Sequence, residues 1–210
     1  MINTLLVCDN NDSYLGDFFE KCKVETERLI ASSDFQFNTI AISGNTAFDI
    51  AVPMNSNFIN SNPFLFISYT HGSDNELLKN GNNPFISIDN NVDSLKNSFA
   101  YCFACKAGRN LGKVLCTNGT LCFIGYKGNV TVQKYFGAEN SFIKCAIYGI
   151  EALIDGNTTG QSLIMMKKKY TECIDDFYSK DMLTATLFME NRDALVLHGD
   201  PELTINKFKK

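Results

Sequence analysis

Two residue types in this sequence could together perform nucleophilic chemistry, a histidine at position 71 and a cysteine at position 105. The chain has only two histidines, and His71 is followed directly by Gly72. A cysteine attacks as its thiolate, and a thiolate at neutral pH needs a nearby base or a positive electrostatic field. The backbone N–H groups of Gly72 and Cys105 are candidate oxyanion donors, which stabilise the charge that develops during acyl transfer. This combination predicts a thiol-dependent acyl-transfer site.

Both residues follow apolar runs that are typical of buried strands. The run Pro63–Tyr69 leads to His71, and the run Phe99–Ala104 leads to Cys105. Further strands are predicted at Thr4–Cys8, Phe37–Ser43, Thr120–Tyr126 and Ala194–Leu197, with a surface hairpin over Leu77–Ile88. Helices are predicted at about Tyr14–Ala31, Asn110–Cys116, Ser141–Ile154, Thr159–Tyr178 and Met182–Glu190.

The alternation of strands and helices predicts the fold class. We expect an α/β protein with a doubly wound, mostly parallel, six-stranded sheet and helices on both faces. The length predicts one domain over residues 1–210. In such sheets ligands bind outside the carboxyl ends of the strands, where the predicted strands place His71 and Cys105.

Composition excludes several classes of protein. The formal net charge is −4, and the compact basic run Lys167–Lys169 is expected on a solvated helix face, so we predict no nucleic-acid partner. The apolar run near Met1 is too short for a signal peptide, and no run reaches the roughly 18 apolar residues of a membrane span. Several of the eight cysteines lie inside apolar runs, which favours free thiols and a cytoplasmic location.

Three segments, in chain order, resemble the motifs of caspase-like cysteine peptidases. The segment Phe66–Gly72 is similar to their strand-His-Gly motif, and Tyr101–Gly108 is similar to their strand-Ala-Cys-x-x-Gly motif. The ending Leu197–Leu203 resembles the Gly-Asp-Pro-x-Leu sequence of the CHAT branch, and gingipain-type peptidases are also similar. Phe103 replaces the Gln of the caspase signature, and the spacing from His to Cys is shorter than the roughly 50 residues of caspases.

This resemblance implies hydrolysis of peptide bonds in a protein or peptide substrate through an acyl-enzyme. His71 would be the general acid and base, Cys105 the nucleophile, and Gly72 and Cys105 the backbone oxyanion donors. No cofactor or metal is implied, and no residue is identified that must orient His71. A separate regulatory protein is expected by analogy with CHAT domains. Asp9, at the end of the first strand, is a candidate to bind a substrate Lys or Arg side chain.

Other interpretations remain open at this point. The domain could be a catalytically idle caspase-like module that binds a partner, or a flavodoxin-like or receiver-type binding domain with Asp9 as its acidic site. Cys102 and Cys105 form a C-x-x-C pair, but residues three apart in a strand point to opposite faces, which argues against a shared zinc or redox site. His198 precedes a Gly-Asp-Pro turn that Asp200 is expected to brace, and we predict a structural role for it.

Overall fold

The computed structural model describes residues 1–135 and 137–209. Its strands are β1 (Ile2–Cys8), β2 (Phe37–Ser43), β3 (Phe64–Tyr69), β4 (His71–Gly72), β5 (Glu76–Lys79), β6 (Asn83–Ser87), β7 (Ser98–Phe103), β8 (Cys122–Tyr126) and β9 (Leu195–Gly199). Its α-helices are α1 (Gly16–Ser32), α2 (Phe48–Ile59), α3 (Leu111–Thr117), α4 (Glu139–Ile154), α5 (Thr159–Tyr178) and α6 (Met182–Ala194). Short 3-10 helices lie at Val92–Leu95 and Ile205–Phe208.

The main sheet has six strands in the order β2-β1-β3-β7-β8-β9 within the described residues. Strands β2, β1, β3, β7 and β8 pair in parallel, and β9 runs antiparallel to β8. The strand order changes direction at β1, because β2 lies on one side of it and β3 on the other. The predicted α/β fold with a six-stranded, mostly parallel sheet is confirmed.

The sheet is covered by helices on both faces, as predicted. Leu6 and Cys8 of β1 pack into a core with α1, α4, α5 and α6, whereas Leu5 and Val7 pack into a second core with α2 and α3. Every residue of β1, β3 and β7 is buried. Parallel strands covered on both faces bury both sets of alternating side chains, which explains why these strands are continuous apolar runs in the sequence.

Helix α2 is not predicted by the sequence pattern, because Pro53 lies inside it. Proline lacks a backbone N–H and is disfavoured in a helix interior by about 3 kcal/mol. Burial offsets this cost, since Val52 and Ile59 lie in the second core. The hydroxyl of Ser56 also donates to the carbonyl of Val52. Tertiary packing therefore decides this element.

The predicted hairpin forms, and it gains a third strand. Strand β5 pairs antiparallel with both β6 and β4, so β4-β5-β6 is a separate small sheet. The two residues of β4 are His71 and Gly72, which pair with Leu78 and Leu77. The chain therefore leaves the main sheet after β3, and the small sheet holds the backbone of His71.

Local capping fixes the starts of the last two long helices. Thr158 and Gln161 form a capping box at α5, in which the Gln161 N–H donates to Thr158 Oγ1 and the Thr158 N–H donates to Gln161 Oε1. The carboxylate of Asp181 accepts from two N–H groups at the start of α6. None of the helices in the described residues is long and apolar enough to cross a membrane.

Candidate active site

His71 and Cys105 follow neighbouring strands of the main sheet. Tyr69 of β3 is paired in register with Phe103 of β7, and the Thr70 N–H donates to the Phe103 carbonyl at 3.3 Å. Each candidate residue therefore lies two positions beyond the last paired position of its strand. Neighbouring strands are about 4.8 Å apart, so the topology brings the two backbones together at the carboxyl edge of the sheet.

Gly72 lies directly against the backbone that carries the thiol. A Cβ atom built on Gly72 would lie 2.8 Å from the Cys105 carbonyl oxygen and 2.9 Å from the Ala104 Cβ. Both distances are shorter than side-chain Cβ atoms tolerate. The glycine is required here because the two chain segments approach so closely that a side chain would not fit between them.

The Cys105 thiol is half-buried and lies against the backbone of Val130. The Val130 N–H donates to Sγ at 3.3 Å, and Sγ lies 3.7 Å from the Val130 carbonyl oxygen. The thiol therefore both accepts from and donates to the backbone of Val130. The first N–H groups of α3 do not reach the thiol, because those of Leu111 and Gly112 donate to the carbonyls of Asp74 and Ala107.

The backbone around Cys105 has two features that suit acyl transfer. Within the described residues the Cys105 N–H has no hydrogen-bond acceptor, so it is free to bind an oxyanion. Lys106 adopts the left-handed conformation with φ of 57°. For a residue with a side chain this conformation costs about 1 kcal/mol or more, and such strain is found at functional sites. The N–H of Lys106 donates to the Gly128 carbonyl at 2.8 Å, which holds the turn.

The His71 imidazole is held from the side of α1. Its ring packs edge-on against Phe19, with the ring centroids 5.6 Å apart. Its Nε2 lies 3.0 Å from Asp12 Oδ2, but the N–H direction is not aligned with that oxygen, so the contact is an ion pair when the ring is protonated. The side chain is 25% exposed. Within residues 1–135 and 137–209, no hydrogen bond joins this imidazole to the Cys105 thiol.

Asp12 is a candidate functional residue that the sequence pattern did not identify. It lies in the polar turn after β1, where its Oδ1 accepts from the N–H groups of Tyr14 and Leu15 at 2.9 and 2.7 Å. Burial acts to raise the pKa of Asp12, but the hydrogen bonds from Leu15 and Tyr14 and the adjacent His71 outweigh it and hold that pKa below its usual value. Asp12 is therefore a preorganised carboxylate that can orient His71.

Asp9 occupies a different environment from the one expected of a specificity residue. Its side chain has no exposed surface, and its Oδ2 accepts from the Asn80 N–H at 2.6 Å. Burial raises the pKa of Asp9, and the hydrogen bond from Asn80 opposes that effect. Its Oδ1 is buried without a hydrogen-bond partner among the described residues. In this conformation Asp9 cannot contact a substrate side chain that enters from solvent.

Asp9, Asp12 and His71 form one cluster. One potential ligand atom from each lies within 4.8 Å of the other two. These residues come from the end of β1, the following turn and β4, so only the tertiary structure brings them together. The donor set of two carboxylates and one imidazole can hold a divalent metal ion.

An open pocket of about 370 Å³ lies beside Cys105. Its acidic lining residue is Asp74, which is paired with Arg109 at 3.3 Å. The other lining residues are Gly72, Ser73, Asn75, Cys105, Lys106 and Asn129. Gly72 and Cys105, the two predicted oxyanion donors, thus share one wall of a cleft that a peptide could enter.

The remaining residues of the predicted motifs, Cys102, His198 and Asp200, have structural roles. Cys102 is fully buried in the second core, and burial raises its pKa far above the ordinary value, so it does not share a site with Cys105. The ring of His198 bonds the Gly108 carbonyl at 2.7 Å and stacks on Phe123. Asp200 accepts from the Glu202 N–H and braces the terminal turn, as predicted.

Comparison with known proteins does not identify the chain: no protein-family model matches it, and no curated protein matches it.

Proposed function

We propose that this protein is a caspase-like cysteine peptidase of the CHAT kind that cleaves a protein or peptide substrate. The observation that carries the proposal is the meeting of His71, Gly72 and Cys105 at the carboxyl edge of two adjacent parallel strands. The six-stranded sheet with one antiparallel edge strand is compatible with that fold. The pocket beside Cys105 supplies room for the substrate backbone.

The proposed reaction begins with transfer of the Cys105 thiol proton to His71. The thiolate then attacks the peptide carbonyl, and the oxyanion is bound by the N–H groups of Cys105 and Gly72. His71 returns the proton to the leaving amine, and a water molecule, deprotonated by His71, hydrolyses the thioester. Asp12 positions the imidazole and stabilises its protonated form, as a carboxylate does for a catalytic histidine.

The thiol must turn from Val130 toward His71 for the first step. The backbones that carry the two residues are already adjacent. Catalytic hydrogen bonds are commonly long or misaligned before substrate binds and become shorter in the complex. We further propose that a regulatory protein controls this alignment, and that the enzyme works in the reducing cytoplasm, where its unpaired thiols persist.

A second candidate function is a catalytically idle module that binds a partner. It is favoured by one observation, the contact of the Cys105 thiol with Val130 in place of a hydrogen bond to His71. The two functions differ in thiol reactivity. An activated thiol reacts with an electrophile faster than an ordinary exposed thiol, and the rate depends on the base.

Alkylation by iodoacetamide, followed by peptide mapping, separates the two functions. Cys116 is the internal reference, because it is also partly exposed and burial raises its pKa to about 11. For a peptidase, His71→Ala slows alkylation of Cys105 at least tenfold while the rate at Cys116 is unchanged. Equal Cys105 rates in the folded wild type and folded His71→Ala would reject the peptidase. Cleavage of a peptide library, absent in Cys105→Ala, then defines the substrate.

A further inference from the structure

The geometry points to a divalent transition-metal site formed by Asp9, Asp12 and His71, with Zn²⁺ as the type of ion it fits. The potential ligand atoms are already within 4.8 Å of each other. In tetrahedral zinc sites with bonds of about 2.1 Å, ligand atoms are about 3.4 Å apart. Small side-chain rotations therefore bring the three residues to coordination distance, and water can complete the shell.

Each carboxylate is held through one oxygen and leaves the other for a ligand. Asp9 Oδ2 accepts from the Asn80 N–H, and Asp12 Oδ1 accepts from the N–H groups of Tyr14 and Leu15. Backbone hydrogen bonds to the non-ligating atom of a carboxylate orient the ligating atom, which is the usual outer-shell arrangement of metal sites. This arrangement leaves Asp9 Oδ1 and Asp12 Oδ2 as the ligating oxygens.

An independent observation is that two atoms of the cluster lack satisfied hydrogen bonds. Among the described residues Asp9 Oδ1 and His71 Nε2 are both buried atoms without an aligned hydrogen-bond partner. Asp9 itself has no exposed surface. A buried polar atom left unpaired costs about 1–3 kcal/mol, more when it is charged. A cation between these atoms satisfies both and neutralises the two carboxylates.

The ligand chemistry selects among cations. Imidazole nitrogen with carboxylate oxygens suits Zn²⁺ and other first-row ions, whereas Ca²⁺ takes six to eight oxygen ligands and Mg²⁺ retains several water molecules in an octahedral shell. The donor set does not include Cys102, and Cys105 is held at Val130. The site is thus separate from the C-x-x-C pair.

A cation at this site also regulates the reaction of His71 with Cys105, a consequence that rests on the proposed function. When Nε2 donates its lone pair to the metal, the ring proton must reside on Nδ1. Both ring nitrogens are then occupied, and the imidazole cannot accept the thiol proton of Cys105. Bound metal would therefore hold the peptidase in an inactive form until the ion is removed.

The binding test uses Zn²⁺ titration of the full chain by calorimetry, in a Cys105→Ser, Cys116→Ser background that removes the partly exposed thiols. We expect one ion per chain, weakened at least tenfold by Asp12→Asn and by His71→Ala, and unaffected by the exposed control Asp17→Asn. Mg²⁺ should give no binding. Binding that is absent, or that Asp12→Asn and His71→Ala leave unchanged in folded protein, overturns the site.

A second measurement separates the site from the proposed function. In Asp9→Asn the side-chain oxygen can still accept from the Asn80 N–H, but the charge of the third ligand is removed. Circular dichroism verifies that this variant folds. Zn²⁺ should slow alkylation of Cys105 in the wild type at least tenfold, and a chelator should restore the rate. If Zn²⁺ binds at the three residues but Cys105 alkylation never depends on His71, the metal site stands and the peptidase is rejected. If Zn²⁺ binds there and leaves a His71-dependent rate unchanged, the regulatory consequence is rejected.

Discussion

The close approach of Gly72 to Cys105 predicts the effect of one added methyl group. In Gly72→Ala the new Cβ meets the Cys105 carbonyl oxygen at 2.8 Å, and ordinary contact begins at 3.4 Å, so that oxygen must move by about 0.6 Å. Overpacking of this kind costs about 1–3 kcal/mol of stability. A misplacement of about 1 Å at a catalytic site costs on the order of 100-fold in rate. We therefore expect Gly72→Ala to lower the reactivity of Cys105 by about tenfold or more.

The assay compares two alanine variants. Iodoacetamide rates at Cys105 are measured by peptide mapping, and urea unfolding gives the free energy of unfolding of each variant. Gly156→Ala is the matched control, because Gly156 has a positive φ of 94° with no atom within 4 Å of the added Cβ. Its backbone strain costs at least about 1 kcal/mol without moving Cys105.

The two variants should lose comparable stability, but only Gly72→Ala should lose thiol reactivity. The reasoning is refuted if folded Gly72→Ala reacts at the wild-type rate. That result would mean that the Cys105 backbone tolerates displacement and that the close contact does not position the Cys105 thiol. Equal loss of reactivity in both variants would also refute it, because the effect would then follow global stability.

Three further predictions concern single carboxylates. Asp12→Asn removes the charge that stabilises protonated His71, so kcat for peptide cleavage should fall about tenfold or more with little change in KM; an unchanged kcat would show that Asp12 does not position the imidazole. Asp74 lies in the pocket beside the thiol, so Asp74→Asn should reduce cleavage after Lys or Arg in a peptide library more than Asp9→Asn does. The opposite order would indicate that Asp9 binds the substrate side chain. Asp181 caps α6, and its hydrogen bonds, first of all with Thr184, lower its pKa. The stabilisation by Asp181 is therefore present above the unfolded-state pKa of the carboxyl and is lost as pH falls through its lower folded-state pKa. Thermal melts of wild type and Asp181→Ala should differ at neutral pH and converge in acid.

The strands that lead to His71 and Cys105 could be predicted because their physical cause is local. A parallel strand covered on both faces is an uninterrupted apolar run, and β3 and β7 are such runs in the sequence. The residues that follow them, His71 and Cys105, were therefore predictable as edge residues. Helix α5 was equally predictable, because the capping box of Thr158 and Gln161 lies within four consecutive residues.

What the sequence determined by itself was the fold class, the strands of the main sheet and the placement of His71 and Cys105 just after two of them, since each depends on neighbours along the chain. The order of strands was decided only by the tertiary structure, and with it the position of Asp12 beside His71 and the complete burial of Asp9. Helix α2 belongs to the same group, because packing of Val52 overrides the local effect of Pro53. These features depend on contacts between residues far apart in the chain, which local patterns of hydrophobicity do not encode.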